Sequence, residues 1–390
     1  MRTDELDYDL PAAAIAREPA EPRDAARLLV ATGGSVRHQH VADLPQHVRP
    51  GDVVVLNDTR VLPARVSIRR ATGGAGEVLL LDEHGDGWWE ALVRPSRKLR
   101  PGDLVTAVRV GAEGAAREPG RDPLAGRGGI DPERATGEGT GASTEPGRDP
   151  LAGRGGIDPE RATGELAFEV GEDLGEGRRL VRPLHDGTLI DALVQWGSVP
   201  LPPYLGDVDL ADPERYQTVY AERPASAAAP TAGLHLTPAL IEGIQAAGAR
   251  IVHVELVVGL GTFRPIATDT VEAHHMHHER YRVPAESWAA IEAARRVLAV
   301  GTTSVRAIES AAATGELEGS TDLFITPGFH WQATDLLMTN FHLPRSSLLA
   351  MVQAFCGPRW RELYGAALDA GYRFLSFGDA MLLDRTGATE

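Results

Sequence analysis

From Thr237 to Gly378 the chain alternates short apolar runs with helical segments, and this alternation constrains its fold more than any other feature. Thr237-Pro238 reads as a helix start, with Thr237 as N-cap and Pro238 at the first helical position, and that helix ends near Gly248. The pattern then predicts a strand over 250–258, a helix over 285–296, a strand over 297–300 and a helix over 304–313. A strand over 336–341, helices over 346–355 and 360–370, and a last strand over 372–377 complete the half. A β-then-α order implies parallel strands joined by helical crossovers. In such folds a ligand sits beyond the carboxyl ends of the strands. Four polar, mostly glycine-marked segments stand there: Gly259-Leu260-Gly261-Thr262-Phe263, Gly301-Thr302-Thr303-Ser304, Asn340-Phe341-His342 and Gly378-Asp379. They point to a small-molecule site without naming the molecule.

The preceding half reads differently. Short β-type runs are expected over 52–56, 64–68, 77–81, 88–93 and 103–110, and again over 166–170 and 179–183, with turns at Pro101-Gly102 and Gly73–Gly76. We expect a small antiparallel β-domain over 62–190, inserted into an α/β domain made of 1–61 and 191–390. Inside the insert, residues 118–138 recur letter for letter as 145–165, which looks like a recent duplication rather than a solenoid repeat. The stretch 111–165 is glycine-rich and poor in aliphatics, so it reads as a disordered surface loop that cannot bury enough apolar surface to order itself.

Composition excludes several function classes. The chain has 390 residues, 43% of them hydrophobic, and no run of eighteen apolar residues, so a soluble cytoplasmic monomer without a membrane span is expected. A single cysteine, Cys356, rules out intrachain disulfides and multi-thiolate metal sites. Lys98 is the only lysine, and no GxxxxGK motif surrounds it, so a P-loop is absent. The net charge of −16 argues against a generic nucleic-acid coat. Between Val61 and Val110, however, the local sum is +2, with Arg94, Arg97, Lys98 and Arg100 clustered near one turn.

Individual residues carry chemistry at the strand ends. Thr302, Thr303 and Ser304 open a helix and can present amides and hydroxyls to a carboxylate or phosphate, with Arg306 as a charge-assisted clamp; simple capping is the alternative. Gly259-x-Gly261 is half of a dinucleotide fingerprint and equally an ordinary turn. The small residues of 228–234 allow close backbone approach, and His235 ahead of the capped helix is expected to be a neutral imidazole. His342 is a candidate proton carrier. His274 and His278 would share a face if helical, yet no HExxH pattern or thiolate is present, so proton transfer or hydrogen bonding is expected there rather than metal. Asn57-Asp58-Thr59-Arg60 has the same strand-end character.

Seven segments in order, 56–65, 229–235, 258–263, His274-x-Met276-His277, 301–306, 339–344 and 377–381, together resemble the S-adenosylmethionine:tRNA ribosyltransferase-isomerase family of queuosine biosynthesis. The resemblance spans the chain except for the duplicated insertion. It implies a barrel-like α/β main domain with an inserted antiparallel β-barrel. It also implies an enzyme that consumes S-adenosylmethionine as a ribosyl donor, so that no cofactor is required. The acceptor it implies is the aminomethyl group of a 7-deazaguanine at the tRNA wobble position, and adenine and methionine are released. His235, His277, His342 and Asp58 become the catalytic candidates. Arg60, Thr231, Gly233, Gly259, Gly261, Thr262, Thr302, Thr303, Ser304, Arg306, Asn340 and Asp379 become substrate-binding candidates, and Arg94, Arg97, Lys98 and Arg100 tRNA contacts. One position departs: Val257 stands where the family usually carries His. A paralogue acting on a free deazapurine nucleoside or another small amine, and a non-catalytic tRNA-binding module, are the alternatives.

Overall fold

The computed structural model describes residues 1–109, 165–205, 210, 212–259, 265–276 and 278–385. They fall into two compact units, Met1–Ala64 with Ser198–Glu390, and Arg65–Gly197. The duplicated stretch 111–165 lies outside the described residues except for Glu165.

The larger unit is built on a mixed sheet. In spatial order its strands are Glu318–Thr321, Glu279–Arg282, Arg250–Leu256, Asp52–Asn57, Arg296–Val300, Leu336–Asn340, Ala380–Asp384, Arg27–Ala31 and Arg37–His40. The four from Arg250–Leu256 to Leu336–Asn340 are mutually parallel. Asp52–Asn57 is buried at every residue, as a valine-rich strand covered on both faces must be. Its side chains alternate between the two layers. Val53 and Val55 pack with Val305 and Ile308 of the helix Thr302–Thr314, while Val54 and Leu56 pack with Leu240 and Ile244 of the helix Pro238–Ala246. The latter starts as its sequence dictates: Leu240 N donates to the Thr237 hydroxyl at 3.1 Å.

Two expectations are corrected here. The barrel-like main domain does not appear as a ring of paired strands: the strands form a linear series, and among the described residues no pairing joins Glu318–Thr321 to Arg37–His40. Ala380–Asp384 runs antiparallel to Leu336–Asn340, which breaks the repeated βα unit that a parallel ring requires. The strand expected over 372–377 is absent, because Leu375 takes a left-handed conformation (φ 73°) that ends any extended run. The apolar residues there serve packing instead, with Phe374 stacked on Phe341 at 4.6 Å between ring centres. The last strand is Ala380–Asp384.

In the smaller unit six antiparallel strands close into a barrel. The circuit runs Arg65–Arg70, Ala75–Gly85, Trp88–Arg94, Arg178–Leu184, Ala167–Gly175, Leu104–Ala107 and back to Arg65–Arg70. Alternate residues such as Val66, Ile68, Val78, Leu80, Val105, Phe168, Val170 and Val181 are buried, the pattern of a small barrel filled by its own side chains.

Candidate functional site

The carboxyl ends of the four parallel strands of the larger unit meet at one end of the sheet, and Ala380–Asp384 begins there, Ala380 facing Asn340. Gly378-Asp379 therefore enters a strand rather than leaving one. Two adjoining shallow hollows open at this end. The first is walled by Tyr204, Phe341, Leu343, Leu375 and Ser376, the second by Pro230, Val258, Gly301, Thr302 and Thr303. Thr231, Asn340, His342 and Leu348 line both.

Asn340, the last residue of its strand, links this wall to His235. Its side-chain nitrogen lies 3.1 Å from His235 Nε2, and its oxygen accepts the Thr231 hydroxyl at 3.0 Å. Thr231 and His235 bound one 3-10 turn, Thr231–His235, that packs tightly: a Cβ on Gly233 would lie 2.0 Å from the Tyr220 hydroxyl, so only glycine fits. Burial, helped by the charges of Arg373 and Arg23, lowers the His235 pKa to about 4. The expectation of a neutral imidazole is met, though by desolvation rather than by a helix dipole. His342 is lowered to about 3 by burial alone. Its Nε2 is 2.9 Å from the Thr339 hydroxyl, its amide donates to the Tyr364 hydroxyl at 3.0 Å, and its carbonyl accepts the Tyr8 hydroxyl at 2.5 Å. Both imidazoles are thus uncharged at neutral pH and held in fixed orientations.

The second hollow lies at the start of the helix Thr302–Thr314. Gly301 is its N-cap with φ 89°, a conformation that favours glycine. Thr303 is 8% exposed, and its hydroxyl has no hydrogen-bond partner among the described residues. Ser304 differs, since its hydroxyl donates to Val300 O, at the end of the preceding strand, at 2.8 Å. Arg306 is also committed: its guanidinium is 2% exposed, forms a buried ion pair with Glu279, and donates to Leu323 O at 3.2 Å. Glu279 in turn accepts the amide of Gly259 at 3.0 Å. The expected anion clamp at Ser304 and Arg306 therefore sits behind the hollow, where a buried guanidinium needs a permanent carboxylate partner.

Other expected residues also stand apart from the hollows. Asp379 is 2% exposed, and its carboxylate accepts the amides of Arg27 at 2.9 Å and Arg373 at 2.8 Å. Arg60 pairs with Glu214. Asp58 lines neither hollow; its Oδ1 is buried with no hydrogen-bond partner among the described residues. Burial and the nearby carboxylates Glu255 and Glu222 raise its pKa to about 6. Val257 donates its amide to Arg280 O at 2.9 Å, an interaction that needs no imidazole. His274 ends the 3-10 turn Val271–Ala273, and neither it nor His278 lies in a helix; His274 meets the edge of Phe324. Gly261, Thr262 and His277 lie outside the described residues. Arg94, Arg97, Lys98 and Arg100 belong to the barrel unit and are all exposed.

Sequence reasoning missed Tyr204, Ser346, Leu348, Leu375, Ser376 and Glu279. Leu375 and Ser376 were hidden in an apolar run that resembled a strand. Tyr204 sits in a proline-rich stretch with no periodicity. Glu279 opens a strand that the pattern did not reveal, although its place beside the histidine cluster was a signal.

A family model described as "Queuosine biosynthesis protein" matches residues 3–383. A protein of Rubrobacter xylanophilus named S-adenosylmethionine:tRNA ribosyltransferase-isomerase is 47% identical over 98% of each chain. One of the same name from Moorella thermoacetica is 43% identical over 98% of this chain and 100% of its own length. A solved chain from Thermotoga maritima, described as S-adenosylmethionine tRNA ribosyltransferase, is 30% identical, covering 97% of this chain and 99% of that one, with a TM-score of 0.48.

Proposed function

Because the chain belongs to the queuosine biosynthesis protein family, we propose that it is an S-adenosylmethionine:tRNA ribosyltransferase-isomerase. In this reading S-adenosylmethionine is a consumed substrate and no cofactor takes part. Its ribosyl group passes to the aminomethyl group of a 7-deazaguanine at the tRNA wobble position. Methionine and adenine leave, and the sugar rearranges to an epoxycyclopentane, giving epoxyqueuosine in tRNA.

The observation that carries this reading is the wall shared by the two hollows, where His342 and Asn340 stand, with His235 held behind Asn340 by its side-chain amide. The chemistry needs a base for the carbon beside the sulfonium, whose positive charge acidifies it. It also needs an acid for the departing adenine and an acceptor for the proton of the attacking amine. Uncharged imidazoles can accept protons in such steps and return them. Thr302, Thr303 and the amides of their helix start suit the methionine carboxylate. Asp58 suits the acceptor's amine, because its unpaired oxygen favours a cation. The exposed Arg94, Arg97, Lys98 and Arg100 suit tRNA phosphates, in a chain whose overall charge is −16.

Alanine at His235 and at His342, assayed separately for adenine release and for the tRNA product, tests the assignment. Each loss should be about a hundredfold or more for a working general acid or base. Full activity of the His235→Ala chain would remove that residue from the mechanism.

A further inference from the structure

The two hollows differ in chemistry, and so do the two ends of S-adenosylmethionine. The first hollow is largely apolar, walled by Phe341, Leu343, Leu348 and Leu375. Its polar groups are mostly committed. The Ser346 hydroxyl donates to Leu343 O at 2.7 Å and accepts Leu349 N at 3.2 Å. Tyr204 donates its hydroxyl to Ser376 Oγ and accepts the Ser376 amide at 3.0 Å. That leaves the hydroxyl hydrogen of Ser376, a residue 4% exposed, without an acceptor among the described residues. Leu375 adds a second sign. An L-residue at φ 73° is strained, and glycine would adopt that conformation freely. The loop nevertheless has a leucine there, tied by its amide to Phe341 O at 3.1 Å, and Leu375 lines the hollow.

We infer that the first hollow is the purine subsite, with Leu375 as its specificity-determining wall and the Ser376 hydroxyl as the donor to a ring nitrogen. A purine presents apolar faces and acceptor nitrogens, which match an apolar slot with one free donor. The zwitterionic methionine end would lie unpaired in that slot, whereas the second hollow offers a helix start and the unpartnered, buried Thr303 hydroxyl. The ribose then falls against Thr231, Asn340 and His342, the polar residues common to both hollows. This placement rests on the proposed use of S-adenosylmethionine.

Calorimetric titration of the full chain with adenine, with methionine and with S-adenosylmethionine tests it. Leu375→Gly and Ser376→Ala should each weaken adenine binding about tenfold, equivalent to about 1.4 kcal/mol, and leave methionine binding within about twofold. Thr303→Val should do the reverse. If Leu375→Gly loosens the fold, which thermal melting would show, Ser376→Ala decides alone. The inference is overturned if both variants bind adenine normally, if they lose methionine instead, or if the wild-type chain binds S-adenosylmethionine but not adenine. Failure of the wild-type chain to bind S-adenosylmethionine would instead overturn the proposed activity itself.

Discussion

Asn340 places its side-chain nitrogen 3.1 Å from His235 Nε2 while its oxygen accepts the Thr231 hydroxyl at 3.0 Å, so one amide orients a buried imidazole behind the cleft wall. Replacing Asn340 by alanine leaves the imidazole nitrogen and the Thr231 hydroxyl without that partner. A buried polar group deprived of its partner costs about 1–3 kcal/mol. Urea unfolding should show a loss in that range, and adenine release should fall by more than the loss of folded protein explains. An unchanged rate in an Asn340→Ala chain would mean that the imidazole needs no such orientation.

The two buried histidines make stability depend on pH. Both have folded pKa values below the ordinary 6.5, about 4 for His235 and about 3 for His342. The unfolded chain therefore binds more protons than the folded one below pH 6.5, and stability falls as pH falls through that window. The loss at His235 is complete only below about pH 4, where it amounts to on the order of 3 kcal/mol. Asp58, raised to about 6, acts in the opposite sense between its unfolded value and pH 6. Urea midpoints measured from neutral pH downward should drop less steeply for His235→Gln than for the wild type. Superimposable profiles would contradict burial as the cause.

Arg306 and Glu279 form a buried pair in which neither side chain can be left alone. Arg306→Met or Glu279→Leu alone should cost about 3–5 kcal/mol, because each strands a buried charge. The double replacement Arg306→Met with Glu279→Leu should recover most of that loss in the same unfolding assay. Additive losses would show that the two residues act independently.

The central strands were legible because burial on both faces writes itself into composition. Asp52–Asn57 and Leu336–Asn340 read as apolar runs, and Thr237-Pro238 announced a helix with local chemistry that tertiary packing had no reason to override. The edge strands Arg37–His40 and Glu318–Thr321 were not legible, since exposed edges carry polar residues without a clear alternation. At the site, Thr303, Asn340 and His342 could be found because strand ends concentrate polar residues. The commitments of Arg306 and Asp379 could not, because their partners Glu279 and Arg27 come from burial and long-range pairing.

The exposed cluster Arg94, Arg97, Lys98 and Arg100 lends itself to a salt titration. If these side chains meet tRNA phosphates, replacing Arg97 and Lys98 by alanine should weaken tRNA binding. The slope of log affinity against log salt should fall by about 0.7–0.9 for each phosphate no longer neutralised. Binding of S-adenosylmethionine should be unaffected. An unaltered slope would place the tRNA elsewhere on the molecule.

The most direct test of the proposed activity is incubation of the full chain with S-adenosylmethionine labelled in its adenine and ribose parts, with and without tRNA carrying the aminomethyl deazaguanine. The account predicts free adenine and labelled tRNA in equal amounts, and neither when the precursor tRNA is omitted. Adenine release that proceeds without tRNA, with label passing to a small amine, would contradict it, as would the absence of any release.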